Sequence, residues 1–399
     1  MSDPGRRVMV VAGGEWQLPL LHAAKRLGYF VVNTDWGLAA PGFAIADAHS
    51  TTDVTDREGT LEVARRFNIQ SAVTDQSDIA VPTVAYVCET LGLPGIGVDV
   101  AERFTDKSIM RDAARVAGIP QPLHALAADS EEMTRLGERW GWPVVVKPAD
   151  SQSSRGVTVV ETSSEAGRAF DEALKQSAKG RVVVEEYIDG TEFTVEGFKS
   201  SEGHRSLAVS RKDHFADRPT VASRLVYSHR SDDFDYDVLR EQNDRLVDSM
   251  ELPFGITHAE YKYRNGNFYL IEIAARGGGT HISSHVVPAM SGVDVQGLLL
   301  RAITGDAVGP ITPAPFGGYV MLDFFQVQPG KVAGIHGFDA VCRRNDVIDA
   351  GLNIEVGGIV SPPHDDRSRH GHFIVTAPSE TALELAAEEI HATLRVDND

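Results

Sequence analysis

The sequence predicts an α/β fold of several domains, with α+β character in the central part of the chain. The chain has 399 residues, and a prior of roughly 150 residues per domain corresponds to two or three domains. Its first hundred residues alternate between β-branched runs and helix-like segments, which is typical of a parallel sheet covered by helices. The central part instead carries a hairpin signal, Asn265-Gly266 between two strand-like runs.

The N-terminal alternation predicts a Rossmann-like parallel-sheet domain over residues 1–104. Its expected strands and helices are, in chain order, Val8–Val11, Trp16–Leu27, Phe30–Asn33, Glu58–Phe67, Ser71–Thr74 and Ile79–Leu91. Gly13-Gly14 ends the first strand but lacks the G-x-G-x-x-G spacing of a dinucleotide site. We therefore interpret Asp35, after the second strand, as a solvated strand-end residue rather than a ribose ligand, and we discount an oxidoreductase.

The rest of the chain is predicted to contain two further units. Residues 105–305 form a central unit with halves 105–185 and 186–305. A change in composition then predicts a strand-rich C-terminal domain over residues 306–399, and its start is marked by Pro310, Pro313 and Pro315.

Patterning and turn signals place the elements of these two units. Helices are expected over Thr105–Gly118, Ser164–Ser177, residues 238–250 and Glu380–Leu394, with only the second of these between about residues 120 and 200. The hairpin is expected over residues 257–274, and the acidic end from Asp397 is expected to fray.

Composition excludes several classes of partner. Thirty-eight Lys and Arg against 57 Asp and Glu give a net charge of −19, which argues against nucleic acid and anionic membrane surfaces because both need a basic footprint. Cys88 and Cys342 lie far apart without metal-ligand spacing, so neither a disulfide framework nor a zinc knuckle is indicated. The N-terminus shows no secretory apolar region and no window approaches a membrane span, so we expect a cytoplasmic protein.

The first chemically informative motif is the apolar strand Val144–Pro148, which presents Lys147 at its end. The small polar loop Asp150–Gly156 follows and leads into the strand Val157–Val160. Small residues let backbone N–H groups approach phosphate oxygens, and serine hydroxyls add donors. The alternative is an ordinary flexible hairpin loop.

The second motif is the segment Val182–Glu192, in which three valines meet the paired acids Glu185 and Glu186. A turn at Asp189-Gly190 and the further acid Glu192 follow. An adenine ring needs an apolar slot with backbone donors and acceptors at its edge, and a ribose needs one carboxylate for its hydroxyls. The alternative, a solvated strand end, must explain two adjacent glutamates after three valines.

The third motif is the hairpin, which carries Glu260 and Glu272 on its two strands. Parity decides whether they share a face: a strict two-residue loop at Asn265-Gly266 sends them to opposite faces, whereas an odd-length loop or a bulge at Gly266 puts them together. Two carboxylates ~4 Å apart repel by about 4 kcal/mol at an effective dielectric of 20. A cation between them turns that penalty into a binding site, and oxygen-only ligands suit Mg²⁺.

The fourth motif is Arg276–His281, which contains three consecutive glycines. Glycine permits close approach of the backbone to a ligand, and Arg276 is placed to neutralise a transferring phosphoryl group. His281 and His285 lie in the same segment, where packing or capping roles are the more common ones for histidine.

These four motifs, in this order, resemble the ATP-grasp superfamily, and most closely its L-amino-acid ligase-like branch. The resemblance covers residues 100–300, and Gly351–Val396, with Gly371–Val375, looks like the C-terminal domain of L-amino-acid ligases. It implies an ATP-grasp fold with an N-terminal Rossmann-like domain and a C-terminal strand-rich domain.

The resemblance also implies residue roles in nucleotide binding. Lys107 and Lys147 would contact the phosphates, beneath a mobile loop that includes Ser151, Ser153, Ser154 and Gly156. Glu185 would orient the adenine amino group. The backbone of Glu186 and Ile188 would meet the ring edge, and Glu192 would take the ribose.

Metal binding and catalysis are implied at the hairpin. Glu260 and Glu272 would hold two Mg²⁺ ions, with Glu272 bridging them and Mn²⁺ as a substitute, and the catalytic set would be Arg276, Lys147 and Glu272. Relatives often carry Glu-x-Asn, whereas this chain has Glu272-Ile273-Ala274. Alanine has no ligating atom, so the number of bound metal ions is left open.

The implied reaction is ATP-dependent ligation of a carboxylate to an amine, releasing ADP and phosphate, on small molecules such as amino acids and in a protein that forms a homodimer. The basic residues that could contact substrate are Arg211, Lys212, His214, Arg224, His229 and His281. Two alternatives remain: an ATP-grasp carboxylase that activates bicarbonate, and a non-catalytic nucleotide-binding protein, which the missing asparagine favours.

Overall fold

The computed structural model describes residues 5–151, 155–216, 218–314, 316–363 and 365–399, with the side chains of residues 218–220 also left aside. Four sheets are present within these ranges: a parallel one of four strands, antiparallel ones of four and eight strands, and a small three-stranded one. The eight-stranded sheet positions the site described below.

The N-terminal unit is the predicted parallel sheet with flanking helices. Its elements are β1 Arg7–Val11, α1 Leu18–Arg26, β2 Phe30–Thr34, β3 Ala48–Ser50, α2 Arg57–Arg66, β4 Ser71–Val73, α3 Val81–Leu91 and α4 Val98–Thr105. The strand order is β3-β2-β1-β4, and the buried faces of β1 and β2 are built from valines because strands covered on both sides favour β-branched residues. The short β3 and the helix α4 were not predicted.

The next unit is a four-stranded antiparallel sheet in the order β5-β8-β6-β7. Its elements are α5 Lys107–Val116, β5 His124–Ala127, α6 Ser130–Trp140, β6 Val144–Pro148, β7 Thr158–Val160, α7 Ala166–Gln176 and β8 Val182–Glu186. Two predictions are wrong here. The helix expected from Thr105 begins at Lys107 because Asp106 caps it, and the segment between residues 120 and 200 contains two helices, since α6 starts at its own cap, Asp129.

The eight-stranded antiparallel sheet has the order β13-β12-β9-β10-β11-β14-β18-β16. Its first part contains β9 Thr191–Ser200, β10 Gly203–Phe215, β11 Arg218–Ser228, α8 Tyr236–Ser249, β12 Gly255–Arg264, β13 Asn267–Ala274, a π-helical turn Ile282–Val286, α9 Val287–Ser291 and α10 Val295–Ile303. The predicted hairpin is β12–β13, and the predicted helix over residues 238–250 is α8.

The C-terminal part contributes three strands to the same sheet. Its elements are β14 Tyr319–Phe324, β15 Gly330–His336, α11 Phe338–Cys342, β16 Val347–Leu352, β17 Ile359–Val360, β18 Gly371–Ala377, α12 Glu380–Thr393 and β19 Arg395–Asn398. The chain end is paired rather than frayed, because β19 lies beside β15 and the Asp399 N–H donates to the Lys331 carbonyl. Since β11 pairs with β14, the sheet runs across residue 306, and the domain limits of the sequence analysis stay predictions.

Within the described ranges, no single helix is long and apolar enough to cross a bilayer. The pair Ile282–Ser291 and Val295–Ile303 meets the criteria only together, across a bend of 115°. Its largest apolar side chains lie in the main core, as expected for interior helices.

Candidate active site

Glu260 and Glu272 lie directly opposite each other on the β12–β13 hairpin, so both carboxylates share one face of the sheet. The turn is the strict two-residue loop, since Arg264 pairs with Asn267 and both Asn265 and Gly266 have positive φ. The shared face arises from a register shift after Glu260, where Ile271 is the extra residue of a β-bulge. The bulge therefore lies five residues further along the chain than the sequence suggested.

Each carboxylate is paired with a cation. Glu260 Oε1 lies 2.8 Å from Lys212 Nζ and 3.6 Å from His258 Nε2. Burial alone would raise the pKa of Glu260, but Lys212 and His258 outweigh it and lower that pKa well below its ordinary value. Glu272 Oε1 accepts a hydrogen bond from Lys107 Nζ at 2.9 Å.

Lys107 is placed by a helix cap. The Asp106 carboxylate accepts from the N–H groups of Ser108 and Ile109, which fixes the first turn of α5. Lys107 is 4% exposed, and its ammonium also donates to the Ser151 carbonyl at 2.6 Å. One ammonium thus joins the start of the predicted phosphate loop to the carboxylate of Glu272.

Lys147 belongs to a second buried group of charges. Its Nζ lies 2.7 Å from Glu185 Oε2, and Arg111 donates to both oxygens of Glu185 at 2.8 and 3.1 Å. Burial, together with Arg111 and Lys107, lowers the pKa of Lys147, although Glu185 opposes the shift. Two nitrogens of Arg111 and the ammonium of Lys147 already contact the two oxygens of Glu185. An adenine amino group, which Glu185 is predicted to orient, would have to bind these same oxygens.

The pKa of Glu185 leads to a pH-dependence prediction. Burial alone would raise this pKa, but Arg111 and Lys147 outweigh it and lower the value to about 2. An unfolded glutamate titrates near pH 4.3. The stabilisation by ionised Glu185 is therefore complete above about pH 4.3 and is lost as the pH falls toward 2, a total of roughly 3 kcal/mol. In urea unfolding at a series of pH values, Glu185→Gln should flatten this acid limb.

The control for the pH series is Glu172→Gln, since Glu172 lies exposed on α7 and its ion pair with the exposed Arg168 is long, at 3.5 Å. It should keep the wild-type slope because exposed pairs contribute little. An acid limb in Glu185→Gln as steep as that of the wild type would refute the low pKa.

The other residues predicted to meet the base and sugar lie along β8 and β9. Glu186 pairs with Arg264 at 2.7 Å, and its N–H donates to the Leu123 carbonyl at 2.8 Å. Ile188 is buried, and Glu192 pairs with Lys212 at 2.7 Å. Of the residues predicted for the phosphate loop, Ser151 and Gly156 lie within the described ranges, and Gly156 has a φ of 71°. Ser153 and Ser154 lie outside the described residues.

Arg276 is held from the N-terminal unit. Its guanidinium lies 2.5 Å from Asp78 Oδ2 and also donates to the Gly277 carbonyl. Burial would lower the pKa of Arg276, but Asp78, Glu272 and Glu260 raise it, so the group keeps its charge. Its Nε is buried and has no hydrogen-bond partner among the described residues. Arg276 is thus fixed as a cation beside both carboxylates.

Three glycines follow Arg276, and at Gly277 and Gly278 the missing side chain makes room for other protein atoms rather than for a ligand. A Cβ on Gly277 would lie 2.7 Å from Asp75 Oδ1, and one on Gly278 would lie 2.9 Å from His258 Nδ1. Asp75 accepts from the Gly277 N–H and from Ser283 Oγ. Gly279 lines a cavity instead.

That cavity, of about 470 Å³, lies where the three parts of the chain meet. The hairpin and the loop after it contribute Glu260, Glu272 and Arg276, together with Lys212 from β10. The N-terminal loops and the C-terminal segment contribute Gly14, Trp16, Asp35, Trp36, Gln76, Asp78, Asn353, Arg367 and Arg369. Asp35 also accepts from the Gly13 and Gly37 N–H groups, as expected of a strand-end residue.

The residues predicted to contact substrate are scattered. Lys212 alone of Arg211, Lys212, Arg224 and His281 lines the cavity. Arg211 and Arg224 pair with Glu380 and Glu384 of α12 at 3.1 and 2.8 Å. His229 Nε2 donates to the Met290 carbonyl at 2.9 Å. His214 lies 3.6 Å from Glu192, and His281 Nδ1 lies 2.8 Å from Asp349. Their contacts with substrate stay predictions.

Several site residues escaped the sequence analysis. Arg111 binds the carboxylate of Glu185, and His258 lies beside that of Glu260. The loop that carries Arg276 is bound by Asp75 and Asp78. The sequence contained a signal for Arg111, because it lies on the buried face of α5 together with Lys107, Met110 and Ala114. A charged side chain on a buried helix face needs an oppositely charged or hydrogen-bonding partner. No local pattern marks the two aspartates, because they act across about 200 positions of sequence.

Two family models match the chain. Residues 140–284 match the ATP-grasp domain, and residues 323–399 match the L-amino acid ligase C-terminal domain 2. A formate-dependent phosphoribosylglycinamide formyltransferase of Synechococcus sp. (strain CC9605) is 32% identical over 191 residues, which are 46% of this chain and 47% of that relative. The chain thus spans about half the length of this curated relative.

Solved structures show the fold over the whole chain. An L-amino acid ligase from Bacillus licheniformis superposes with a TM-score of 0.83 at 20% identity, covering 100% of both chains. The biotin carboxylase domain dimer of the Hydrogenobacter thermophilus 2-oxoglutarate carboxylase, in complex with MgADP, ADP and bicarbonate, gives 0.78 at 19%, covering 99% of this chain and 91% of that one. The predicted ATP-grasp fold is confirmed.

Proposed function

We propose that this chain, which joins an ATP-grasp domain to an L-amino acid ligase C-terminal domain, is an ATP-dependent carboxylate–amine ligase. The main support is the contact of Lys107 with Glu272 at 2.9 Å, on a carboxylate that directly faces Glu260. Phosphate-binding cations and metal-binding carboxylates thus meet at one point. The adjoining cavity of about 470 Å³ suits a small molecule.

The donor set fits ATP with Mg²⁺. Glu260 and Glu272 supply oxygen ligands on one face, which hard cations prefer, and Lys107 and Lys147 supply positive charge for phosphates. Bound there, Mg²⁺ would neutralise charge that develops on the transferring phosphoryl group. Lys107 and Lys212 neutralise the two glutamates in the structure, and with the ion held by the glutamates the Lys107 ammonium would be free to bind a phosphate oxygen.

The reaction has two steps. A carboxylate oxygen of the first substrate attacks the γ-phosphorus of ATP, the bond to the β-phosphate oxygen breaks, and ADP leaves. The amine of the second substrate then attacks the carbonyl carbon of the acyl phosphate, an amide forms, and phosphate leaves with the electron pair of the broken C–O bond while the nitrogen loses a proton. Such chemistry depends on positioning and electrostatics.

The chain's own residues serve these steps by holding charge in place. Arg276, fixed by Asp78, would stabilise the negative charge of the acyl phosphate and of the tetrahedral state that follows. Lys147, whose pKa burial lowers, would bind a phosphate oxygen from its place beside Glu185. Ala274, which lines the cavity and is paired with His258, provides no metal ligand, so we propose that Glu260 and Glu272 hold one firmly bound Mg²⁺.

An acyl-activating enzyme of another kind is the second candidate. The matched formyltransferase is formate-dependent, and a bicarbonate anion is bound in the Hydrogenobacter structure. Both facts favour a small one-carbon acid as substrate. The match of residues 323–399 to the L-amino acid ligase C-terminal domain favours an amino acid instead. A non-catalytic nucleotide-binding protein is the third candidate, and Ala274 is its main support.

A substrate screen separates the three candidates. The purified chain is incubated with ATP, Mg²⁺ and pairs of L-amino acids, and phosphate release and product mass are measured. We expect phosphate release that needs both amino acids and a product whose mass equals their sum less one water. Release with formate or bicarbonate alone would support the second candidate, and nucleotide binding without any release would support the third.

We further propose that the protein acts in the cytoplasm and as a homodimer. The Hydrogenobacter biotin carboxylase domain is a dimer, and this supports the second part of the proposal. Light scattering coupled to gel filtration measures it, with twice the mass of the 43.2 kDa chain expected.

A further inference from the structure

A cluster of two imidazoles and one carboxylate lies beside the cavity, and none of its three residues lines that cavity. It consists of His281, Asp349 and His372, and we name it the His-Asp-His cluster. His281 Nδ1 lies 2.8 Å from Asp349 Oδ2, and His372 Nε2 lies 2.9 Å from the same oxygen. One ligand atom from each residue can be chosen so that all lie within 4.8 Å of one another.

The fold brings these residues together from three segments. Asp349 lies on β16 and His372 on the neighbouring β18, where Asp349 pairs with Ile374 and Gly351 pairs with His372. Asp349 and His372 are therefore diagonal neighbours on one face of the sheet. On β16 the pairing partner of His372 is Gly351, which has no side chain, and a Cβ there would lie 2.8 Å from His372 Cε1. Glycine at position 351 thus leaves room for the imidazole.

His281 joins the cluster from the loop after the three glycines. Its φ of 61° lies in the left-handed region, which costs a non-glycine residue on the order of 1 kcal/mol. Its N–H donates to Gln76 Oε1 at 3.1 Å, and its other ring nitrogen, Nε2, is buried without a hydrogen-bond partner among the described residues. The backbone of His281 thus adopts an unfavourable conformation, and its ring places Nδ1 against Asp349.

We propose that the His-Asp-His cluster binds one divalent transition-metal ion of the zinc class. Imidazole nitrogens suit Zn²⁺, Co²⁺ and Ni²⁺, whereas Mg²⁺ prefers oxygen ligands. The cluster therefore differs in chemistry from the pair Glu260 and Glu272. Three protein ligands leave a coordination position open for water or another donor.

Such an ion ties the C-terminal strands to the loop that carries Arg276. Asp349 and His372 belong to β16 and β18, whereas His281 lies next to Thr280, which lines the cavity. A metal bound only by the folded chain stabilises it by mass action. Zn²⁺ should thus raise the melting temperature, and the shift should need all three ligands. This proposal does not depend on the identity of the substrates.

Metal binding is tested on the full chain, stripped with a chelator, in the absence of nucleotide. Zn²⁺ is titrated calorimetrically, and Co²⁺ binding is followed by its visible absorption. We expect one ion per chain, Co²⁺ bands that excess Mg²⁺ does not remove, and a loss of affinity of at least about 50-fold in His372→Gln, since even outer-shell changes cost roughly 10–100-fold. His336→Gln, at an exposed histidine paired with Asp397, is the control and should bind as the wild type does.

Two further variants keep the result interpretable. His281→Asn removes a ligand from a loop position whose backbone asparagine tolerates, and it gives the same readout if His372→Gln does not fold. Glu272→Gln should keep full Zn²⁺ affinity, which separates this site from the carboxylate pair. Unchanged Zn²⁺ and Co²⁺ binding in both histidine variants, or no bound ion in the wild type, would overturn the proposal.

Discussion

Glu272→Gln is expected to reduce ATP turnover by on the order of 10³-fold, because metal-assisted stabilisation of a phosphoryl transition state is worth several kcal/mol and about 4 kcal/mol corresponds to that factor. The substitution keeps the shape of the side chain but removes the charge that faces Glu260 and pairs with Lys107. Glutamine still accepts a hydrogen bond from Lys107, so the fold should be retained. A coupled assay of ADP release under saturating ATP measures the effect.

Glu241→Gln is the matched control, since Glu241 is exposed on α8 and its replacement removes the same charge. Its turnover should equal that of the wild type. If Glu272→Gln released ADP within threefold of the wild-type rate, with an unchanged requirement for Mg²⁺, the assignment of Glu272 as a metal ligand would be incorrect.

Arg111→Met is expected to cause the largest loss of stability, about 3–5 kcal/mol, because it breaks a buried ion pair from one side. Arg111 is fully buried and binds both oxygens of Glu185. It also donates to the carbonyls of Leu270 and Ile271 at 2.9 and 2.7 Å, on either side of the point where the hairpin register shifts. Methionine fills similar space without these donors. The midpoint of urea unfolding measures the change.

Arg115→Met, one turn further along α5, is the control for Arg111→Met. Arg115 is exposed and pairs with the exposed Asp112, so its loss should cost less than about 0.5 kcal/mol. In a double-mutant cycle, Arg111→Met with Glu185→Gln should cost at least about 1 kcal/mol less than the sum of the single variants, since the two residues share one network. A stability of Arg111→Met equal to that of Arg115→Met would contradict the account.

The parts of the fold that the sequence predicted are those with strong local signals. Runs of valine bounded by glycine or charge placed β1, β2, β6 and β8, and Asn265-Gly266 placed the hairpin turn. The helix start at Lys107 was missed by two residues because α4 ends and α5 begins on either side of the single residue Asp106. A break of one residue leaves little trace in a hydrophobic pattern.

The candidate site was predicted in its residue types more than in its geometry. Glu260 and Glu272 share a face, as expected, but through a bulge at Ile271, which no turn residue marks. The bulge is bound by Arg111 from α5, so the register depends on a contact across about 160 positions. Likewise, the glycines after Arg276 make room for Asp75 and His258. Such long-range partners have no local sequence signature.

The position of a metal ion relative to Glu260 and Glu272 tests the central claim most directly. Crystals grown with a non-hydrolysable ATP analogue and Mn²⁺ allow the ion to be located by anomalous scattering. We predict a peak roughly 2 Å from an oxygen of each carboxylate, with the triphosphate between it and Lys107. A nucleotide bound with its manganese peak elsewhere, and neither glutamate in contact with the ion, would contradict the assignment of this hairpin as the metal site.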